Sequence, residues 1–445
     1  MNNFKTDSTN KRVSDFLQKY NINCENIDMQ KYVDLFLVEM KKGLEGQGSS
    51  LRMFPSFITP SEEIPLNKPV IVIDAGGTNL RTAIVIFEKG NVPVIKEYRQ
   101  HIMPGSKEEV SREDFFKVIT NNIKDFLDKS ENIGFVFSYQ MKMYPDIDGR
   151  LFRFTKEIKA KEIEGELIGK NLLLAIKKLG LNYDKKVVLL NDTVASLLAG
   201  VLVSANRKFE SYIGLIFGTG LNACYLEKNK NIKIDMVKNL NQEDYQVINI
   251  EAGSFSKGPN GEIDFSFNSK TINPEIGRYE KMASGAYLGR LSAEVLRFGA
   301  KDGIFSGRFS KKINSSFSLE TEDINDFLHY PPGSGSKINK LAEHMNNKDL
   351  VSLYYIFDGL VERSALLAAI VLSAAIIKSG KGKNPLSPVC INAEGSTFYN
   401  LKNFKFRVKL YLKKILEQRG NYFYEINRVD NAVLLGGAVA GLSCL

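Results

Sequence analysis

Carboxylate and amide side chains recur where apolar runs of this sequence end. Asp74 follows Val70-Ile-Val-Ile73, with Gly76, Gly77, Thr78, Asn79 and Arg81 crowded behind it. A carboxylate at the end of a buried strand is costly unless it binds something, and Mg²⁺ beside phosphates is the usual answer. Adjacent glycines let backbone N–H groups approach a phosphate without a Cβ in the way. A plain Gly-Gly hairpin would need none of these polar neighbours, so the run reads as a phosphate loop. Gly218-Thr219-Gly220 repeats the pattern between Tyr212–Phe217 and a strand carrying Asn222. Asn191-Asp192-Thr193 closes another apolar run and opens a helix. Asp192 or Thr193 could cap that helix. Asp192 could equally be a reactive carboxylate at a strand's carboxyl end, where open α/β sheets bind ligands. Glu251 ends the run Val247–Ile250, and Glu280 falls in the first turn of a helix, a position that also suits mere decoration. Gly395 and Ser396 follow the strand Val389–Ala393. Gly436 and Gly437 open the last helix, where small residues admit either a flat ligand or a close-packed neighbour.

The elements that must hold these groups alternate between strand and helix. Apolar residues at helical spacing mark Tyr32–Met40, Phe115–Leu127, Leu167–Ile176, Leu288–Leu296, Leu350–Ile377 and Leu401–Gln418. β-Branched runs fall between them, so the class is α/β. The chain has 445 residues, enough for two sizeable domains. Residues up to about Asn26 are polar and read as mobile. No secretory segment opens the chain, and no apolar run reads as long enough to cross a bilayer.

The formal charge is +9, but no block of five or more Lys/Arg occurs. The basic surface suits ATP and sugar phosphates without requiring nucleic acid. Cys24, Cys224, Cys390 and Cys444 are too scattered for a zinc site and read as reduced, cytoplasmic thiols. The histidines, His101, His329 and His344, lie outside every motif, so acid–base work falls to a carboxylate.

From about Asp34 to its C-terminus the sequence resembles the hexokinase and glucokinase family. The motifs that carry the resemblance are Asp74-Ala-Gly-Gly-Thr-Asn-Leu-Arg81, Phe154-Thr-Lys156, Asn191-Asp-Thr193, Gly218-Thr-Gly-x-Asn-Ala-Cys-Tyr225 and Tyr279-Glu-Lys-Met-x-Ser-Gly-x-Tyr-Leu-Gly289, in family order. The resemblance implies two ribonuclease H-like domains of the actin and hexokinase type, with mixed sheets flanked by helices and a cleft between. The small domain would be 65–191 plus 431–445, the large one 1–64 plus 192–430. It implies transfer of a phosphoryl group from Mg-ATP to the 6-hydroxyl of a hexose, with glucose expected. The alternatives are another sugar or a sugar sensor without turnover. Ser138, Thr155, Lys156, Asn191, Asp192, Asn222, Glu251 and Glu280 would bind the hexose, with Asp192 as general base and Lys156 assisting transfer. Asp74, Gly76, Gly77, Thr78, Asn79, Arg81, Gly218, Thr219, Gly395, Ser396, Gly436 and Gly437 would form the nucleotide side, Asp74 reaching Mg²⁺ through water. The chain matches one catalytic unit of the family; its oligomeric state is not legible.

Three positions depart from the family pattern. The proline expected soon after Ser138 is absent, and Tyr139-Gln140-Met141 follows instead. Ala252-Gly253-Ser254 replaces a Trp-Gly pair, and Gly277 stands where a sugar-contacting glutamine is usual. These bear on sugar specificity rather than on phosphoryl transfer.

Overall fold

The β-branched runs form two mixed sheets of the same topology. In the first, Val70–Ala75 pairs antiparallel with Asn79–Glu88, which pairs antiparallel with Val92–Ile102. On the other side of Val70–Ala75, Asn132–Phe137 and then Lys186–Leu190 add in parallel. The second sheet repeats this. Ser211–Phe217 pairs antiparallel with Leu221–Lys228, and that strand with Tyr245–Asn249. Val389–Glu394 and Tyr424–Asn427 then add in parallel, and Phe54–Pro55 extends the opposite edge. The repeated glycine–threonine hairpin is therefore the opening of a repeated domain, and the α/β expectation holds. The computed structural model describes residues 6–61, 63–154, 158–180, 184–203, 207–331 and 337–444.

Two helices, Asp192–Val203 and Ala432–Ser443, share one buried cluster with Val72 and Val136 of the first sheet and Cys224 and Val247 of the second. The contact leaves no room for side chains. A Cβ on Gly134 would lie 1.9 Å from the Gly437 carbonyl oxygen, and one on Gly436 would lie 1.8 Å from that of Ala195. Helices Arg112–Ile123 and Ile168–Lys178 cover the opposite face of the first sheet through Phe115, Ile119, Leu172 and Ile176.

The large core gathers around the helix Asn347–Ser379. Arg363 on this helix is fully buried and forms a two-pronged pair with Asp264, Nη2 to Oδ1 at 2.6 Å and Nη1 to Oδ2 at 3.1 Å. Each charge is matched by the other, which is the condition for burying either. By length and composition this helix could cross a membrane, contrary to the reading above, but 89% of its apolar window is buried inside the fold. The N-terminal region also differs from expectation. Thr6–Lys19 is a helix whose Val13, Phe16 and Leu17 are buried in the large core. With Tyr20 these residues sit at helical spacing, a signal masked by the polar residues between them.

Candidate active site

Each strand end delivers its side chains to the space between the sheets. After Lys186–Leu190 the chain turns directly into the helix Asp192–Val203. Asn191 Oδ1 accepts the Thr193 N–H at 2.9 Å and also the Thr193 hydroxyl. The capping role thus falls to Asn191, one residue before the candidates weighed from sequence. Asp192 accepts the same N–H through Oδ1 and remains only partly buried. Its charge is felt by Tyr139, Cys224 and Glu251, whose acid groups it pushes upward after burial has done most of the work.

The second sheet contributes a chain of amides and carboxylates. Asn222 Nδ2 donates to Asn249 Oδ1 at 2.8 Å, and Asn249 Nδ2 donates to Glu251 Oε1 at 2.8 Å. Asn222 Oδ1 accepts the N–H groups of Ala223 and Ala252. Glu251 takes φ 58°, a left-handed conformation unusual for a residue with a side chain, and such strain is tolerated where the surroundings hold it. Burial pushes its carboxyl up to about 7. Two amide donors oppose that rise, while the charges of Asp192 and Glu280 add to it.

Glu280 is more than helix decoration. It lies in the first turn of Arg278–Ala283, and its Oε2 accepts the Leu221 N–H at 2.9 Å. A Cβ on Gly220 would meet that oxygen at 2.7 Å, so the glycine of the second hairpin makes room for the carboxylate. Ser138 sits at the end of Asn132–Phe137, buried, its N–H donating to the Ala75 carbonyl at 3.2 Å. Of the predicted hexose set, the fold thus brings Asn191, Asp192, Asn222, Glu251 and Glu280 together, while Ser138 stands two residues before Gln140, whose amide donates to Glu251. Thr155 and Lys156 lie outside the described residues. Phe154, just before them, is anchored edge-on against Tyr139 with ring centres 4.9 Å apart.

Asn249 and Gln140 belong to this network and were missed. Asn249 stands two residues before Glu251 and follows the alternation of a strand, a signal that was available. Gln140 gave no such signal, because its partner is remote in sequence.

On the nucleotide side, Asp74 is 5% exposed, and Arg81 Nη1 donates to its Oδ2 at 3.2 Å. Burial of this carboxylate is therefore met in part by arginine. Gly76 N–H donates to the Asn79 carbonyl at 3.0 Å, and Tyr139 donates its hydroxyl to the Gly76 carbonyl at 2.5 Å. A Cβ at Gly76 would find only an ordinary contact at 3.5 Å, so the fold itself does not demand a glycine there. Thr78 is exposed, and Asn79 donates to its hydroxyl.

Gly218, Thr219, Gly395 and Ser396 do meet. Gly218 would place a Cβ 3.5 Å from the Gly395 Cα, and the Thr397 hydroxyl donates to the Gly218 carbonyl at 3.1 Å. Gly395 has φ 120°, which a side chain would strain. Ala286 N–H holds the Thr219 carbonyl. Burial raises the neighbouring Glu394 carboxyl, and the charges of Arg428 and of Arg81, from the first hairpin, lower it. Gly436 and Gly437 correct the sequence reading. Both are buried, and their nearest atoms belong to Ala195, Val136 and Val72, so close packing accounts for them. Among the described residues no group of three or more metal-ligating side chains occurs. A lone carboxylate with phosphate oxygens and water nevertheless suits Mg²⁺, which keeps several waters.

Hexokinase family models match residues 12–202 and 212–443. Hexokinase-1 of Schizosaccharomyces pombe is 27% identical over 436 residues, which cover 93% of this chain and 87% of that protein. The hexokinase of Schistosoma mansoni is 32% identical over 324 residues, covering 68% of this chain and 69% of that protein. A solved structure of the Schistosoma mansoni hexokinase complexed with glucose superposes with a TM-score of 0.82 and 26% identity, covering 99% of this chain and 100% of the other. With the twin sheets and the ordered motifs, these matches show that the chain belongs to the hexokinase family, whose members transfer a phosphoryl group from ATP to a hexose.

Proposed function

We propose that the hexose is glucose, that its 6-hydroxyl is the acceptor, and that Asp192 is the general base. The observation that carries this reading is the convergence of Asp192, Asn222, Glu251 and Glu280 from separate elements on one cleft. A sugar hydroxyl is a poor nucleophile at neutral pH, so a carboxylate within reach must accept its proton as transfer proceeds. Neutral hydroxyls are recognised by paired donors and acceptors, which Ser138, Asn191, Asn222, Glu251 and Glu280 supply, together with Thr155 and Lys156. A site built this way rejects sugars that leave its polar groups unpaired.

The N–H groups around Gly76–Asn79 and Gly218–Thr219, with Gly395 and Ser396, would receive the nucleotide. The spare room at Gly76 supports a ligand rather than the fold as the reason for that glycine. Asp74 would hold Mg²⁺ through water, and the ion would neutralise charge on the phosphates. Lys156 would stabilise the transferring group. Transfer to water is suppressed if the lobes close on the sugar. The moving body would be 65–191 with 431–445, against 1–64 with 192–430. The four cysteines are free, which supports a reducing, cytoplasmic setting. A coupled assay of ADP release with Mg-ATP and a panel of hexoses tests the reading. Turnover on glucose well above that on its epimers is expected, and no hexose-dependent turnover would overturn it.

A further inference from the structure

The hexose reading leaves Gln140 without a task. Its backbone opens the two-stranded ribbon Gln140–Met143 with Gly149–Arg153, just beyond Ser138 of the first sheet. Its side chain leaves that ribbon and is 5% exposed. Nε2 donates to Glu251 Oε2 at 2.9 Å and to Ser254 Oγ at 3.2 Å, both on the chain that continues from the second sheet. Gln140 therefore spans the cleft. Its own carbonyl oxygen is buried with no hydrogen-bond partner among the described residues. The amide is thus held for its donor, at the expense of its acceptor.

Glu251 is gripped by one amide on each oxygen. Asn249 takes Oε1 from the same strand, and Gln140 takes Oε2 from the opposite lobe. The last torsion of a glutamate is soft, so one donor alone leaves the carboxylate plane poorly defined. Asn249 moves with Glu251 in any arrangement of the lobes. Gln140 reaches it only when the first sheet's lobe is close.

We propose that Gln140 is a positioning residue for the hexose: it sets the Glu251 carboxylate in the orientation that receives a sugar hydroxyl, and does so only as the lobes close. This rests on Glu251 being a hexose ligand. The chemistry recognised is a neutral hydroxyl, and Gln140 would make the affinity for that hydroxyl depend on closure.

The test compares Gln140→Met, of similar length without a donor, and Gln140→Glu. Gln140→Met is expected to raise the glucose KM about ten- to hundredfold, the worth of a hydrogen bond to a charged group, with little change in the ATP KM. The loss should vanish on one deoxyglucose, the analogue lacking the hydroxyl that Glu251 holds. That analogue is identified separately, as the one Glu251→Gln no longer distinguishes from glucose. Gln140→Glu should lose affinity at high pH and regain it as pH falls, because two adjacent carboxyls sharing one proton restore the donor. Among the described residues, Asp192, Glu280 and Arg153 also face Glu251, and they are common to both variants.

An unchanged glucose KM in Gln140→Met, or an equal loss on glucose and every deoxy analogue, would overturn the proposal. Should Gln140→Met fail to fold, a pH-independent glucose KM in Gln140→Glu would do the same. If Glu251→Gln leaves the glucose KM unchanged, it is the hexose reading of Glu251 that fails instead.

Discussion

Glu251 provides a way to see the cleft's electrostatics without a substrate. Its carboxyl stands at about 7 in the folded protein against an ordinary value of 4.5, chiefly through burial. That difference corresponds to about 3 kcal/mol. Below pH 4.5 both the folded and the unfolded chain hold the proton. Between 4.5 and 7 the folded chain holds it and the unfolded chain has lost it, so rising pH favours unfolding. The contribution is therefore complete below pH 4.5 and is lost as pH climbs through about 7. Glu251→Gln cannot ionise, so this slope should disappear. The amide is also a poor match for two amide donors, a penalty that does not vary with pH. The assay is the melting temperature of each protein without sugar, from pH 4.5 to 8.5, read as variant minus wild type. Other titrating groups largely cancel in that difference. It should rise in the variant's favour by roughly 3–7 °C, depending on whether the whole chain or one lobe melts as a unit. Parallel curves would refute the reasoning and mean that Glu251 is ionised in the folded state near its ordinary value.

Asp192→Asn should lower kcat by about 10²–10⁴, the usual worth of a general base, while melting stays near wild type because Asn191 carries the cap; near-normal turnover would move the base elsewhere. Glu280→Ala should raise the glucose KM and leave the ATP KM unchanged. It should also cost about 1–3 kcal/mol by stranding the Leu221 N–H, measured by denaturant unfolding. Asp74→Asn should shift the Mg²⁺ concentration for half-maximal rate upward at fixed ATP; an unaltered Mg²⁺ titration would count against Asp74 as the carboxylate that holds the ion. Gly436→Ala should destabilise by roughly 3 kcal/mol or more, since its Cβ would lie 1.8 Å from a backbone oxygen; unaltered melting would contradict the packing reading.

Local pattern was enough for the strands, the hairpins and most helices. Val70–Ala75 and Ser211–Phe217 are largely apolar runs followed by glycine, rich in β-branched and aromatic residues, and that chemistry acts between neighbours in sequence. It was also enough to nominate Asp192, Glu251 and Glu280, because carboxylates at strand and helix ends stand out from their surroundings. Tertiary structure decided the rest. The N-terminal helix depends on the core that receives Val13, Phe16 and Leu17, and the membrane-like run Asn347–Ser379 on the fold that buries it. Whether Gly436 and Gly437 served a ligand or a neighbour turned on Ala195 and Gly134, both far away along the chain. Gln140 reaches Glu251 across 111 residues, and no periodicity encodes that distance. A residue's type and neighbours set what it can do, but the partner that a buried polar group finds is set by which surfaces the fold brings together.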